Sequence, residues 1–491
     1  LYLKDFSPFQ NRPEPVKTIV KKDSAEGVGT LFDAVQPTQE VGKPLISYVY
    51  DQSIENPVWE ALRVTNEDRG IILGAPGSGK TQIIDWMQSG QSFVATDIKP
   101  EIWAILKYNG IFEQFGYKDW VFNPTDVNSD HYNLFSEVQD SSEFNEVLNI
   151  IIADTDSADA KVFNDNARRL LKAILIELGA KASLPNAQRF INSMDDNAEL
   201  LKTLRQSDNE TVSSIAKDIT RTAKSDNLLA SIMTAVSKAF DFLDDDRIRK
   251  TISDNAEGFY LKDVLMKPKQ AVFLQFDQQY KSSTATLFGA MVAHTMRILQ
   301  ANQNRGAVFL ALDEIINCAP IPKFTDLLNT IRSANMPTFL YLQSLEGLNR
   351  LYGLNADKLF LGSSNYKVVF KIGDIATAKE FSDLIGKTET TYFSYSENSS
   401  SGVSNSDQGG SRTHSNSSGY SESTKLEYII EPEELIKLPE HSAVVTYNGT
   451  FGTLIMPKYW EFFKCPTRVT TAGVTQWMQY QNDGVTGVRN D

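Results

Sequence analysis

Gly74-Ala75-Pro76-Gly77-Ser78-Gly79-Lys80-Thr81 is the stretch from which the fold can be read. It satisfies G-x-x-x-x-G-K-[ST] at every position. A short apolar run, Ile71–Leu73, leads into it, and a helix-like stretch, Gln82–Gln88, leaves it. Glycines let backbone N–H groups turn inward around phosphate oxygens, and the following helix N-terminus adds positive field. In such a loop Lys80 reaches the β- and γ-phosphates, and the Thr81 hydroxyl ligates Mg²⁺. A chain this long matches the bare pattern by chance on the order of 2% of the time. The strand before it and the helix after it lower that figure. The expected ligands are therefore ATP and Mg²⁺, held by residues 74–81.

Working outward, short apolar runs alternate with helix-length segments. Gly70–Leu73, Phe93–Thr96 and Trp120–Phe122 precede a long interruption, and Ala271–Phe276, Ala307–Leu312, Thr338–Tyr341 and Lys367–Phe370 follow it. Buried strands separated by helices predict a parallel sheet and an α/β fold. Strand signals almost vanish over 137–262, where Phe144–Ile152, Ala167–Leu178, Ala198–Leu204 and Ile215–Phe242 show helical periodicity. The predicted organisation is an irregular N-terminal segment at 1–45 and a first part of the nucleotide-binding domain at 46–136. An all-α domain at 137–262 follows, then a second part of the nucleotide-binding domain at 263–464 and a C-terminal tail at 465–491. Within the second part, the Ser/Asn/Gly tract 395–424 is expected to be a flexible surface loop, because it has too little apolar surface to bury.

A phosphate-binding loop needs a second acid to hold the metal ion. Two apolar runs end in aspartate: AVFLQFD at Asp277 and AVFLALD at Asp313. Asp313 is followed directly by Glu314. The aspartate of such a pair positions Mg²⁺, and the glutamate orients or deprotonates the attacking water. Asp313 and Glu314 are chosen on that ground, with Asp277 as runner-up. The run Thr338–Leu342 ends in Gln343, which the carboxyl end of a neighbouring parallel strand would bring near a γ-phosphate. Arg332 lies between those two runs and is the candidate transition-state cation, reaching across a subunit contact.

Composition limits the alternatives. The 491 residues are 41% hydrophobic and 22% charged, with a net charge of −14. That balance excludes a chain that coats nucleic acid with its whole surface. Two cysteines, Cys318 and Cys465, make no disulfide framework. The four histidines are scattered without metal-ligand spacing, so no structural metal is expected. No run of about 18–20 apolar residues suited to crossing a bilayer is present. The first residue is Leu1 and not Met, which suggests that an N-terminal segment precedes it.

Several motifs then line up in order: VATDIKPE (Val94–Glu101), FNPTDVNSDHYNLF (Phe122–Phe135), LDEIINCAPIPKFTDLLNTIRSANMP (Leu312–Pro337), YLQSLEGLNRLYG (Tyr341–Gly353) and IIEPEELIKLPEHSAVV (Ile429–Val445). Over about residues 46–462 this series resembles the coupling proteins of type IV secretion and conjugation systems. The resemblance implies a RecA-like P-loop NTPase domain with a mostly parallel sheet, interrupted by an all-α domain. It implies a homo-hexameric ring with ATP between subunits, anchored at the cytoplasmic side of the membrane by N-terminal helices that this sequence lacks. The implied partners are DNA bound without sequence preference, a relaxase with its relaxosome, and the secretion channel. By position, Lys80 and Thr81 match the P-loop residues, Asp313 and Glu314 the second acidic motif, Gln343 the strand-end glutamine, and Arg332 the arginine after the intervening helix. Two departures stand out. The family's Asp-Pro-Lys-Gly-Glu reads Asp97-Ile98-Lys99-Pro100-Glu101 here, and its Asn-Pro-Leu reads Asn133-Leu134-Phe135.

Two other functions share the same loop. One is a chromosome-segregation type DNA translocase, against which the helical insertion argues. The other is a substrate-docking receptor with weak, regulatory ATPase activity, to which an acidic surface would draw basic cargo proteins.

Overall fold

The computed structural model describes residues 45–51, 59–74, 84–87, 89–138, 141–153, 158–223, 226–253, 258–276, 278–303, 305–322, 324–330, 333–404, 411–439, 442–447, 450–455, 466–470 and 473–477. Eleven strands form one sheet. They are β1 (Leu45–Asp51), β2 (Trp59–Arg63), β3 (Arg69–Leu73), β4 (Ser92–Thr96), β5 (Lys118–Phe122), β6 (Gln270–Leu274), β7 (Val308–Asp313), β8 (Thr338–Leu342), β9 (Tyr366–Phe370), β12 (Ser442–Tyr447) and β13 (Thr450–Ile455). Two further pairs, β10 (Lys387–Ser404) with β11 (Ser411–Tyr428) and β14 (Pro466–Thr470) with β15 (Gly473–Trp477), make separate two-stranded sheets.

The spatial order in the large sheet is β2-β1-β13-β12-β9-β3-β8-β7-β4-β6-β5. The run from β9 to β5 is parallel throughout. The remaining four strands are antiparallel. The fold is thus α/β with a mostly parallel sheet. Parallel strands are covered on both faces, which requires side chains of both parities to be apolar. β4 meets this condition: Val94 joins one core with Ile71, Leu73 and Leu310, while Phe93 and Ala95 join another with Trp86, Phe309 and Phe339. Trp86, on the helix Ile84–Met87, packs at a tilt against Phe309 and Phe339, with ring centroids 5.4 and 5.7 Å apart.

Between β5 and β6 the described residues form helices and no strand, from Ser141–Ile151 to Leu261–Leu265. Local chemistry starts these helices. Ser183, Asp196 and Asn209 each accept a backbone N–H from the first turn of the helix they cap. The two ends of this insertion are tied together. Glu137 accepts the Leu261 and Lys262 N–H groups at 2.8 and 2.7 Å, and the Tyr132 hydroxyl donates to Glu137. Tyr132 N–H also donates to the Thr251 carbonyl at 3.0 Å. The chain therefore leaves the sheet and returns to it at one place. The Asn133-Leu134-Phe135 segment keeps a tight turn without proline, because the Asn133 side chain accepts the Phe135 N–H at 3.1 Å. No helix of the described residues is long and apolar enough to cross a membrane.

The tract 395–424 corrects an expectation. In place of the expected flexible loop, its described residues, 395–404 and 411–424, belong to the β10–β11 ribbon, in which eighteen residues pair with eighteen without a register shift. Burial plays little part in this. Thr and Tyr favour extended backbone, the strands satisfy each other's N–H and C=O groups, and Lys387 sits over the Tyr428 ring at 4.2 Å near the base. Residues 1–44 of the expected irregular segment lie outside the described residues, and β1 begins at Leu45. The expected tail at 465–491 contains the pair β14–β15.

Candidate nucleotide site

The carboxyl ends of four adjacent strands carry the residues of interest. In register, Leu73 of β3 pairs with Leu342 of β8, Tyr341 of β8 with Asp313 of β7, and Ala311 of β7 with Ala95 of β4. Gly74, Gln343, Asp313–Glu314 and Asp97 therefore emerge side by side on one edge. β8 lies between β3 and β7, so the start of the loop and the acidic pair are about 10 Å apart at ordinary strand spacing. Hydrogen bonds fix this edge. Gly74 N–H donates to the Leu342 carbonyl at 3.1 Å, Glu314 N–H to the Tyr341 carbonyl at 3.0 Å, and the Thr96 hydroxyl to the Asp313 carbonyl at 2.8 Å.

Glu314 has φ 50° and ψ 38°, left-handed backbone for a residue with a side chain. That conformation costs on the order of 1–2 kcal/mol and is held by its surroundings. Its N–H is bonded to β8, its carbonyl accepts the Asn317 N–H at 2.8 Å, and a 3₁₀ turn, Ile315–Asn317, follows directly. Ile316 of that turn packs on Gly347, where an added Cβ would lie 2.8 Å from the Ile316 Cδ1. The sharp turn lifts the Glu314 side chain to where Gln343 Nε2 donates to its Oε1 at 2.6 Å. Asp313 is half-buried. Burial and the Asp313 charge together push the neighbouring Tyr341 phenol up, so it stays neutral.

Asp97, just past the end of β4, is held by backbone groups. It is 1% exposed. Its carboxylate accepts the N–H groups of Glu101, Ile102 and Trp103 at 3.1, 3.2 and 3.1 Å, and Gln275 Nε2 at 3.1 Å. It anchors the start of the helix Ile102–Tyr108 to the ends of β4 and β6. Burial raises its pKa, against the pull of those four donors. Burial likewise raises that of Glu101, while the nearby Lys99 charge lowers it. Lys99 is exposed.

Of the residues expected at the site, Gly74, Asp313, Glu314 and Gln343 share one edge. Ala75, Pro76, Gly77, Ser78, Gly79, Lys80, Thr81, Arg332 and the runner-up Asp277 lie outside the described residues. β6, which precedes Asp277, is separated from β3 by β8, β7 and β4. Thr96 is a contributor that sequence reasoning missed. A hydroxyl ending an otherwise apolar strand, Ser92–Thr96, was the available signal.

A family profile described as the type IV secretion-system coupling protein DNA-binding domain matches residues 61–456. No curated protein matches by sequence. Among similar solved structures is the bacterial conjugative coupling protein TrwBdeltaN70 in its unbound monoclinic form. It has a TM-score of 0.58 and 16% identity, with 80% of this chain and 85% of that chain covered. The plasmid coupling protein TrwB in complex with ADP and Mg²⁺ has a TM-score of 0.58 and 14% identity, with 85% and 88% covered. VirB4 of Thermoanaerobacter pseudethanolicus has a TM-score of 0.50 and 12% identity, with 86% and 98% covered. At these identities the structures attest the fold.

Proposed function

The chain belongs to the type IV secretion-system coupling protein family, and on that premise we propose that it is an ATP-hydrolysing motor that drives DNA, with its relaxase, toward a secretion channel. The observation that carries this reading is the gathering of Gly74, Asp313, Glu314 and Gln343 at the carboxyl edge of β3, β8 and β7.

The residues fit a magnesium-bound triphosphate. A carboxylate ends the strand one removed from the loop, at a spacing that a phosphate chain and its cation span. Bound there, Mg²⁺ would neutralise charge building up on the β- and γ-oxygens. Thr81 and Asp313 would hold the cation, and the N–H groups of 74–81 with Lys80 would hold the phosphates. Glu314 would accept a proton from the attacking water, and Gln343, bonded to Glu314, would report on the γ-phosphate. Arg332 would act from a neighbouring copy in a hexameric ring. In such a ring the chain works at the cytoplasmic face of the membrane. Lysines and arginines on inward loops would grip a DNA strand without reading its sequence.

The net charge of −14 favours one second reading, a docking receptor for basic cargo proteins with only regulatory hydrolysis. ATP turnover measured with and without single- and double-stranded DNA separates the two. The motor requires DNA-stimulated turnover that Lys80→Ala abolishes. Turnover indifferent to DNA selects the receptor, and nucleotide binding that survives Lys80→Ala refutes both.

A further inference from the structure

The peptide bond between Asp313 and Glu314 joins the two acids of the site, and it is gripped from both sides. Its N–H, that of Glu314, donates to the Tyr341 carbonyl of β8 at 3.0 Å. Its C=O, that of Asp313, accepts the Thr96 hydroxyl of β4 at 2.8 Å. β7 runs between β8 and β4, so one holder comes from each neighbouring strand. The first is a backbone group, which every residue has. The second is a side chain, so it depends on which residue stands at position 96.

Thr96 is 0% exposed, so its hydroxyl must find an acceptor inside the protein. Two carbonyls of β7 are in reach, Asp313 at 2.8 Å and Ala311 at 3.5 Å. The nearer one takes the proton. β4 ends at Thr96, and the next N–H, of Asp97, donates to the Leu274 carbonyl of β6 at 2.9 Å. At this point the backbone of β4 serves β6, and the Thr96 side chain serves β7.

The backbone of Glu314 shows what the grip resists. Its φ of 50° is left-handed, a conformation that a residue with a side chain keeps only under restraint. Turning the 313–314 peptide over would relieve that φ. It would also swing the Glu314 side chain away from Gln343, whose Nε2 donates to Glu314 Oε1 at 2.6 Å. The net contribution of one hydrogen bond is comparable to the strain of one left-handed residue. Two bonds outweigh the strain, and one leaves the two arrangements close in free energy.

We propose that Thr96 is a positioning residue for ATP hydrolysis. Its hydroxyl holds the Asp313–Glu314 peptide in the orientation that sends Asp313 toward the cation and Glu314 toward the water. It acts through the turn and not on the nucleotide. The inference rests on the motor reading, in which Glu314 handles the water.

The test compares Thr96→Val, which keeps the branched shape and loses the hydroxyl, with Thr96→Ser, which keeps the hydroxyl. Two readouts are taken on the full chain: steady-state ATP turnover with Mg²⁺, and hydrogen exchange at the Glu314 N–H. Thr96→Val should lower kcat about tenfold or more and leave KM for ATP within about twofold, because small misplacements of a reacting group are costly. Exchange at Glu314 should speed up about tenfold, while Leu310, whose N–H donates to the Pro337 carbonyl at 2.9 Å, exchanges as before. Thr96→Ser should follow the parent in both readouts. A merely structural hydroxyl would lower the unfolding temperature of the valine variant and leave kcat per folded molecule where it was, and that result overturns the proposal. So does a serine variant as slow as the valine one, which assigns the effect to the missing methyl. Should Thr96→Val fail to fold, Thr96→Ala gives the same comparison with serine. A parent chain that turns over no ATP overturns this inference together with the motor reading. Parent turnover that Thr96→Val does not slow overturns this inference alone.

Discussion

Removing the Asp97 carboxylate should cost stability and leave the chemistry alone. Asp97 is 1% exposed and accepts four hydrogen bonds, three from backbone N–H groups at the start of Ile102–Tyr108 and one from Gln275. Losing a helix-start acceptor costs about 0.5–2 kcal/mol. Each donor left buried and unpaired costs about 1–3 kcal/mol more. Glu101, Ile102 and Trp103 are half-buried, so water replaces part of the loss at those N–H groups. Relief from burying a charge offsets another part, as the raised pKa indicates. The balance for Asp97→Ala is about 3 kcal/mol. Asp97→Asn keeps one acceptor oxygen and should cost about 1–2 kcal/mol. At about 2.1 cal/mol/K per residue, a chain of 491 residues shifts by about 1 °C per kcal/mol, so thermal unfolding of the alanine variant should fall by about 3 °C. Turnover per folded molecule, measured well below that transition, should stay within about twofold of the parent. An alanine variant that unfolds within about 1 °C of the parent would refute the anchoring argument. One that stays folded but loses turnover would place this carboxylate in the reaction.

Gly70 faces Phe339 so closely that an added Cβ would lie 2.1 Å from the ring, so Gly70→Ala should destabilise by about 1–3 kcal/mol or more, read in urea denaturation. His294 is fully buried, and burial lowers its pKa to about 4. The unfolded chain therefore binds the proton first, and stability falls as pH drops from about 6.5 toward 4, by about 3 kcal/mol at most. His294→Phe should flatten that acid limb in thermal unfolding, and an unchanged limb would refute the assignment. Glu314→Gln should retain bound ATP while stopping hydrolysis, and normal turnover would show that another group handles the water. Arg332→Ala should lower activity only in assembled protein, which mixing with a hydrolysis-dead partner would reveal.

The parallel half of the sheet was legible because each of its strands is a short apolar run in its own right. Ile71–Leu73 and Phe93–Thr96 need no partner to be recognised. The antiparallel half was not, since β1 and β2 mix polar and apolar residues and β1 owes its place in the sheet to β13, some four hundred residues away. The ribbon was misread for a related reason. Composition reports what can be buried, and Ser399 or Asn416 buries nothing, yet backbone pairing orders both. At the site, Asp313–Glu314 and Gln343 could be named from strand ends. Their contact could not, because it depends on β8 lying between β3 and β7 and on the left-handed turn at Glu314. Asp97 was read as a charge in a motif, and only its neighbours identify it as an anchor.

The pairing of Val49 with Leu454 has a consequence for how this protein is made. At about 5–20 residues per second, a ribosome needs about 20–80 s to travel from the first of these residues to the second. Throughout that interval β1 lacks the strand that joins it to the rest of the sheet, while the helical insertion, rich in local contacts, is free to fold as it appears. The β1–β2 pair thus joins the sheet only after β13 has been made, and a chaperone's cover in the meantime would protect its open edge.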